Sequence, residues 1–172
     1  MKTLYIAATF LAVWAMHAVA QQTAAPPQAV KATFLISGLH CPPCTSTVES
    51  SLKRVKGIQT AKVDWQSKNA RVTFDEGQIS SQEIAIAIAN TPHMMGGALK
   101  YSGALALKVA GLKDDATIAT AKKALAEIPG VANVWIYAQQ GAVAVDFDRT
   151  AKVTSKQLID ALGKVGFTAS EF

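Results

Sequence analysis

Gly38-Leu39-His40-Cys41-Pro42-Pro43-Cys44 sits between an apolar run, Phe34-Leu35-Ile36, and a helix-like run that begins at Thr45. Its first two residues return 73 positions later as Gly111-Leu112. Gly57-Ile58 returns at the same shift as Gly130-Val131, and Phe74-Asp75 as Phe147-Asp148. Ser81-Gln82 returns as Ser155-Lys156 at a shift of 74, so one residue is inserted before that point. Residues 31–172 therefore read as two copies of one unit. The stretch also holds both cysteines of the chain. Two thiols three positions apart at a strand-to-helix junction can clamp a soft metal ion or cycle between dithiol and disulfide.

The element pattern repeats with the motifs. In the first copy it predicts strands at 31–37, 59–66, 69–75 and 97–101, with helices at 44–55 and 80–90. In the second it predicts strands at 104–110, 131–138, 141–148 and 166–170, with helices at 115–127 and 154–163. Val48, Leu52 and Val55 share one helix face, and Ile84, Ala87 and Ile88 share another. Ala61, Val63 and Trp65 alternate with Lys62 and Asp64, as do Ala70, Val72 and Phe74 with Arg71 and Thr73, which suits strands with one wet face. Trp65 is accordingly expected in the core. Strand-helix-strand-strand-helix-strand is the split βαβ order. The fold class is thus α+β: two tandem ferredoxin-like βαββαβ domains, 31–101 and 104–172, each a four-stranded antiparallel sheet with both helices on one face. Ser102-Gly103 reads as the linker.

What precedes residue 31 differs in kind. Met1-Lys2 is a short positive start, Leu4 to Met16 is apolar and uncharged, and Ala18-Val19-Ala20 is a small-x-small site. Residues 1–20 read as a signal peptide cut after Ala20, which predicts a periplasmic or secreted protein with no membrane span in the mature chain. Residues 21–30 read as a disordered leader with Pro26-Pro27. Losing Lys2 lowers the formal net charge from +5 to +4. The cations are scattered and no aromatics interleave with them, which argues against nucleic acid as a partner. A disulfide closing Cys41 to Cys44 stabilises a fold little because its loop is so short. The pair therefore reads as a working site.

Each copy resembles the heavy-metal-associated domain, the small module of copper chaperones, of metal-pumping ATPase tails and of the periplasmic mercury-binding protein. The family motif Gly-Met-x-Cys-x-x-Cys reads Gly38-Leu39-His40-Cys41-Pro42-Pro43-Cys44 here, with Leu in place of Met. Its Val-x-Gly-Ile/Val motif appears as Val55-Lys56-Gly57-Ile58 and Ile128-Pro129-Gly130-Val131. Its Val-x-Phe-Asp strand appears as Val72-Thr73-Phe74-Asp75 and Val145-Asp146-Phe147-Asp148. The resemblance implies a non-enzymatic carrier that holds one soft ion through Cys41 and Cys44 and exchanges it with a donor or acceptor protein such as a membrane metal transporter. Two thiolates without further cysteines suit a linear ion, Cu(I) first and Hg(II) next, over four-coordinate Zn(II).

His40, His93 and Met94 are the candidate auxiliary ligands. His93 falls at the position of Phe167, in a loop that lies beside the metal loop in the family. The second copy carries Asp114 and Thr117 where the first has Cys41 and Cys44, so it should hold no soft metal, and Asp114 should cap the following helix. The outward residues Ala106, Trp135, Tyr137, Ala142 and Ala144 would form an apolar face, which predicts cover by the first copy or by another chain. A competing reading is a thiol–disulfide oxidoreductase using Cys-Pro-Pro-Cys, with Thr91-Pro92 standing for a cis-proline.

Overall fold

A computed structural model describes residues 29–172. The expected signal peptide, 1–20, and nearly all of the expected leader, 21–30, lie outside the described residues. β1 (Ala29–Ser37) begins inside the stretch read as leader, because Ala29 and Val30 already pair with Asp75 and Phe74. α1 (Pro42–Lys53), β2 (Ile58–Asp64), β3 (Asn69–Asp75) and α2 (Ser81–Ala89) follow, then β4 (Ser102–Ala110). The second half runs α3 (Asp115–Ala126), β5 (Val131–Tyr137), β6 (Ala142–Phe147), α4 (Ser155–Lys164) and β7 (Thr168–Glu171).

The expected pair of four-stranded sheets does not form. One seven-stranded antiparallel sheet runs β2-β3-β1-β4-β6-β5, with β7 also on β4. β4 is shared. Its first residues, Ser102 to Ala106, pair with β1 and close the sheet of the first half. Its later residues, Leu107 to Ala110, pair with β7 and belong to the second half. On its other side Leu105 to Lys108 pair with β6. The predicted strand 97–101 is absent, since the edge of β1 is already taken by Ser102–Ala106. Gly96 and Gly97 also interrupt any extended run there, Gly96 at φ 118°. The glycine at 103 is a strand residue, not a linker. A Cβ on it would lie 2.7 Å from Cδ1 of Ile88, so its bareness lets α2 lie directly on β4.

Register partners share a face, so Phe34, Leu105, Val145 and Val134 all point one way. One continuous core holds Phe34, Leu105, Leu107 and Val145 together with Val48, Leu52, Ile84 and Ile88 of the first half and Leu125, Leu158 and Leu162 of the second. Polar contacts reinforce this junction. Glu76 accepts from the amide and hydroxyl of Ser155 at 2.6 and 2.9 Å, covering the start of α4. Gln82 Nε2 donates to the Asp148 carbonyl at 2.6 Å, and Lys152 pairs with Glu83 at 2.8 Å.

The opposite face is not covered by the first half, because the halves lie side by side in one sheet rather than face to face. Ala106 and Ala144 are buried there, but Trp135 and Tyr137 are each 44% exposed. No helix among the described residues is long and apolar enough to cross a membrane.

Candidate metal site

The site is built at the start of α1. Cys41 is the N-cap residue, with extended backbone (φ −147°, ψ 149°), and makes no side-chain cap hydrogen bond. Pro42 and Pro43 occupy the first two helical positions, where the lost amide donors would have had no helical partner anyway. Cys44 follows in the first turn, and its amide donates to the Cys41 carbonyl at 3.0 Å. No acidic side chain lies in that turn. The positive end of the helix is thus left for the sulfurs, a setting that favours thiolates. Cys41 is partly exposed and Cys44 is fully buried. The two are joined as a disulfide, with Cα atoms 5.3 Å apart. Only the reduced dithiol form would offer two thiolates to a soft ion.

Three anchors fix the loop that leads into the helix. Leu39, at the family's Met position, is buried beneath it. Lys68 Nζ donates to the Leu39 carbonyl at 3.2 Å, while the same ammonium stands 4.8 Å from the Trp65 ring centroid. Trp65 is only partly buried, against the edge of the core, and so differs from the interior residue expected. Gly38 takes φ +83°, and a Cβ there would lie 2.3 Å from the Lys100 carbonyl oxygen. The 97–101 stretch, which forms no strand, therefore packs closely against the Gly38–Cys44 loop. His93 completes the contact, with Nε2 2.9 Å from the Gly38 carbonyl.

Of the auxiliary candidates, His40 and His93 approach one another with ring centroids 5.5 Å apart. His40 is exposed, and Met94 is 56% exposed. No group of three or more His, Cys, Asp or Glu side chains suited to a metal forms among the described residues. Lys68 and Tyr101 were not singled out from sequence. Thr91-Pro92 is not a cis-proline, since no described peptide bond is cis.

The matching position in the second half is spent on helix capping. Asp114 accepts from the Thr117 amide at 2.8 Å, and Thr117 Oγ1 lies 3.0 Å from the Asp114 amide. The amide of Thr117, and then its hydroxyl, holds the Asp114 carboxyl below the usual aspartate range. A side chain that caps its own helix gives the expected cap.

A model of the heavy-metal-associated domain matches residues 33–93. The copper chaperone CopZ of Staphylococcus haemolyticus is 34% identical over 53 residues, which cover 31% of this chain and 78% of that one. The chain belongs to the heavy-metal-associated domain family. A mercuric transport protein periplasmic component of Serratia marcescens is 32% identical over 85 residues, covering 49% of this chain and 80% of its own. The copper-transporting ATPase HMA5 of rice, Oryza sativa subsp. japonica, is 28% identical over 143 residues, or 80% of this chain. The present chain spans only 14% of that ATPase. The heavy-metal-associated match contains the Cys41–Cys44 loop, α1, Lys68 and His93, and ends before Lys100 and Tyr101.

Proposed function

We propose that this chain is an exported carrier of one soft metal ion, Cu(I) first and Hg(II) next, held by the thiolates of Cys41 and Cys44. The observation that carries the proposal is the placement of both sulfurs at the uncapped start of α1 within a heavy-metal-associated domain. Two thiolates satisfy a d10 ion that accepts linear coordination and leave its remaining positions open. Cys41, the partly exposed sulfur, is the one an incoming thiolate would displace. Transfer is then ligand exchange: the partner's thiolate bonds to the metal, the Cys41–metal bond breaks, and Cys44 follows. No electrons move and no substrate bond is made, so the chain acts as a carrier and not as an enzyme.

The names of the relatives support copper and mercury as cargo and a membrane transporter as the exchange partner. Residues 1–20 are proposed to export the chain to the periplasm or beyond. An N-terminal sequence beginning at Gln21 in the mature protein would support this, and one beginning at Met1 would reject it.

The bonded cysteines favour one second reading, a thiol–disulfide oxidoreductase working through Cys-Pro-Pro-Cys. One experiment separates the two. The reduced protein is titrated with Cu(I) and Hg(II) against a competing chelator, beside Cys41→Ser and Cys44→Ser, and is assayed for insulin reduction with dithiothreitol as the electron source. Tight one-to-one binding that both variants lose supports the carrier. Absent binding with efficient insulin reduction supports the oxidoreductase.

A further inference from the structure

His93 is 55 residues from Gly38 in sequence, yet its ring closes onto that residue. Its two nitrogens are both engaged, and their partners fix the tautomer. The Gly38 carbonyl can only accept, so Nε2, 2.9 Å away, carries the proton and donates. The Met95 amide can only donate, so Nδ1, 3.1 Å away, is unprotonated and accepts. One neutral form satisfies both contacts. The ring also stacks on Tyr101, with centroids 4.5 Å apart and planes tilted by 29°. Tyr101 is 2% exposed, and its hydroxyl has no hydrogen-bond partner. The tyrosine therefore serves as a flat platform, and its hydroxyl contributes nothing polar.

Neither ring nitrogen has a free lone pair for a metal. The same contacts hold the loop from one side, as Lys68 does at Leu39 from the other. Gly38 lies three residues before Cys41, so fixing its carbonyl limits where the Cys41 sulfur can go. We propose that His93 is a positioning residue of the thiolate site and not a ligand. It tethers the Gly38 carbonyl through Nε2–H, pre-shapes the Cys41 end of the loop, and keeps that tautomer when the metal is bound. This rests on the soft-metal reading above. It also gives a role to the segment from His93 to Tyr101, which includes the 97–101 stretch expected as a strand: it braces the Gly38–Cys44 loop.

The test is the ¹⁵N imidazole spectrum of His93 in the full chain, metal-free and with one equivalent of Cu(I), together with Cu(I) affinities of variants. The Nε2–H pattern is expected in both states. His93→Ala should weaken Cu(I) binding by about 10- to 100-fold, the usual cost of losing an outer-sphere support. His93→Gln places an amide donor near Nε2 and should restore most of that affinity, while Tyr101→Phe keeps the platform and should bind as wild type. A His93 nitrogen that shifts to a metal-bound resonance overturns the proposal, as does a Gln variant as weak as the Ala variant. If the wild type binds no Cu(I), the soft-metal reading fails. The metal-free spectrum then still decides the tether: an Nε2–H pattern upholds it and an Nδ1–H pattern removes it.

Discussion

The Gly38–Cys44 loop and the Gly111–Thr117 loop occupy the same place in the two halves, each between a strand and the first helix of its unit. They spend that place differently. The second loop satisfies its helix start with Asp114 and Thr117 in a reciprocal capping box. The first leaves its helix start without a side-chain cap, fills two positions with proline, and presents sulfur. The surroundings differ in the same sense. Gly38 is gripped by the Lys100 backbone, whereas the nearest atom to a Cβ on Gly111 would be a ring carbon of Phe167 at 3.4 Å. One scaffold thus supports either a capped helix start or one that presents a pair of cysteines. The uncapped loop is the one held from outside, by Lys68 at Leu39 and by His93 at Gly38.

Swapping ligands between the loops is the largest perturbation. Asp114→Cys combined with Thr117→Cys should raise the soft-metal stoichiometry of the reduced chain from one to two, read by Cu(I) titration. If the graft stays at one, the ligands alone do not make the site, and the prolines and the His93 tether are part of it.

Gly38→Ala against Gly111→Ala comes next. Both positions have positive φ, but only Gly38 adds a backbone clash. Gly38→Ala should cost about 3 kcal/mol or more and Gly111→Ala about 1–2 kcal/mol, measured by urea unfolding. Equal costs would mean that the 93–101 brace does not press on the loop as described.

Ser80→Ala should cost about 1 kcal/mol, since Ser80 forms a full capping box with Glu83 at α2. The smallest effect concerns pH. The Lys152 ammonium, then the Ser80 amide, holds the Glu83 carboxyl below the usual glutamate range. Its folded value is depressed, so its stabilisation is present above the unfolded value of about 4.3 and is lost as pH falls through the folded value. With Lys152 73% exposed the effect should be about half a kcal/mol or less. Glu83→Gln should flatten the acid limb of a urea-midpoint profile by that amount, and an unchanged limb would remove Glu83 from the account.

Much of this was legible in the sequence. The 73-residue shift marks the repeated element order, alternation sets Phe74 and Val145 inward, and the position of Asp114 before α3 makes it a cap. The sharing of β4 was not legible. Ser102-Gly103 has the composition of a linker, and only the approach of Ile88 explains a glycine inside a strand there. His93 was visible as a candidate near the loop, but its tether depends on a carbonyl 55 residues away. Lys68 left no local signal, since its partner at Leu39 is a backbone atom that every sequence supplies. Alternation placed Trp135 and Tyr137 outward, where they are exposed, and cover by the first half fails because the halves share one continuous sheet.

On the function proposed above, the first loop carries the metal and its twin does not. Backbone amide shifts of the reduced, ¹⁵N-labelled chain, followed while Cu(I) is added to one equivalent, test it most directly. The account predicts changes confined to residues 38–48 and 93–101, saturating at one equivalent, with Gly111–Thr117 unmoved. Changes centred on Gly111–Thr117, or none at Cys41 and Cys44, would contradict it.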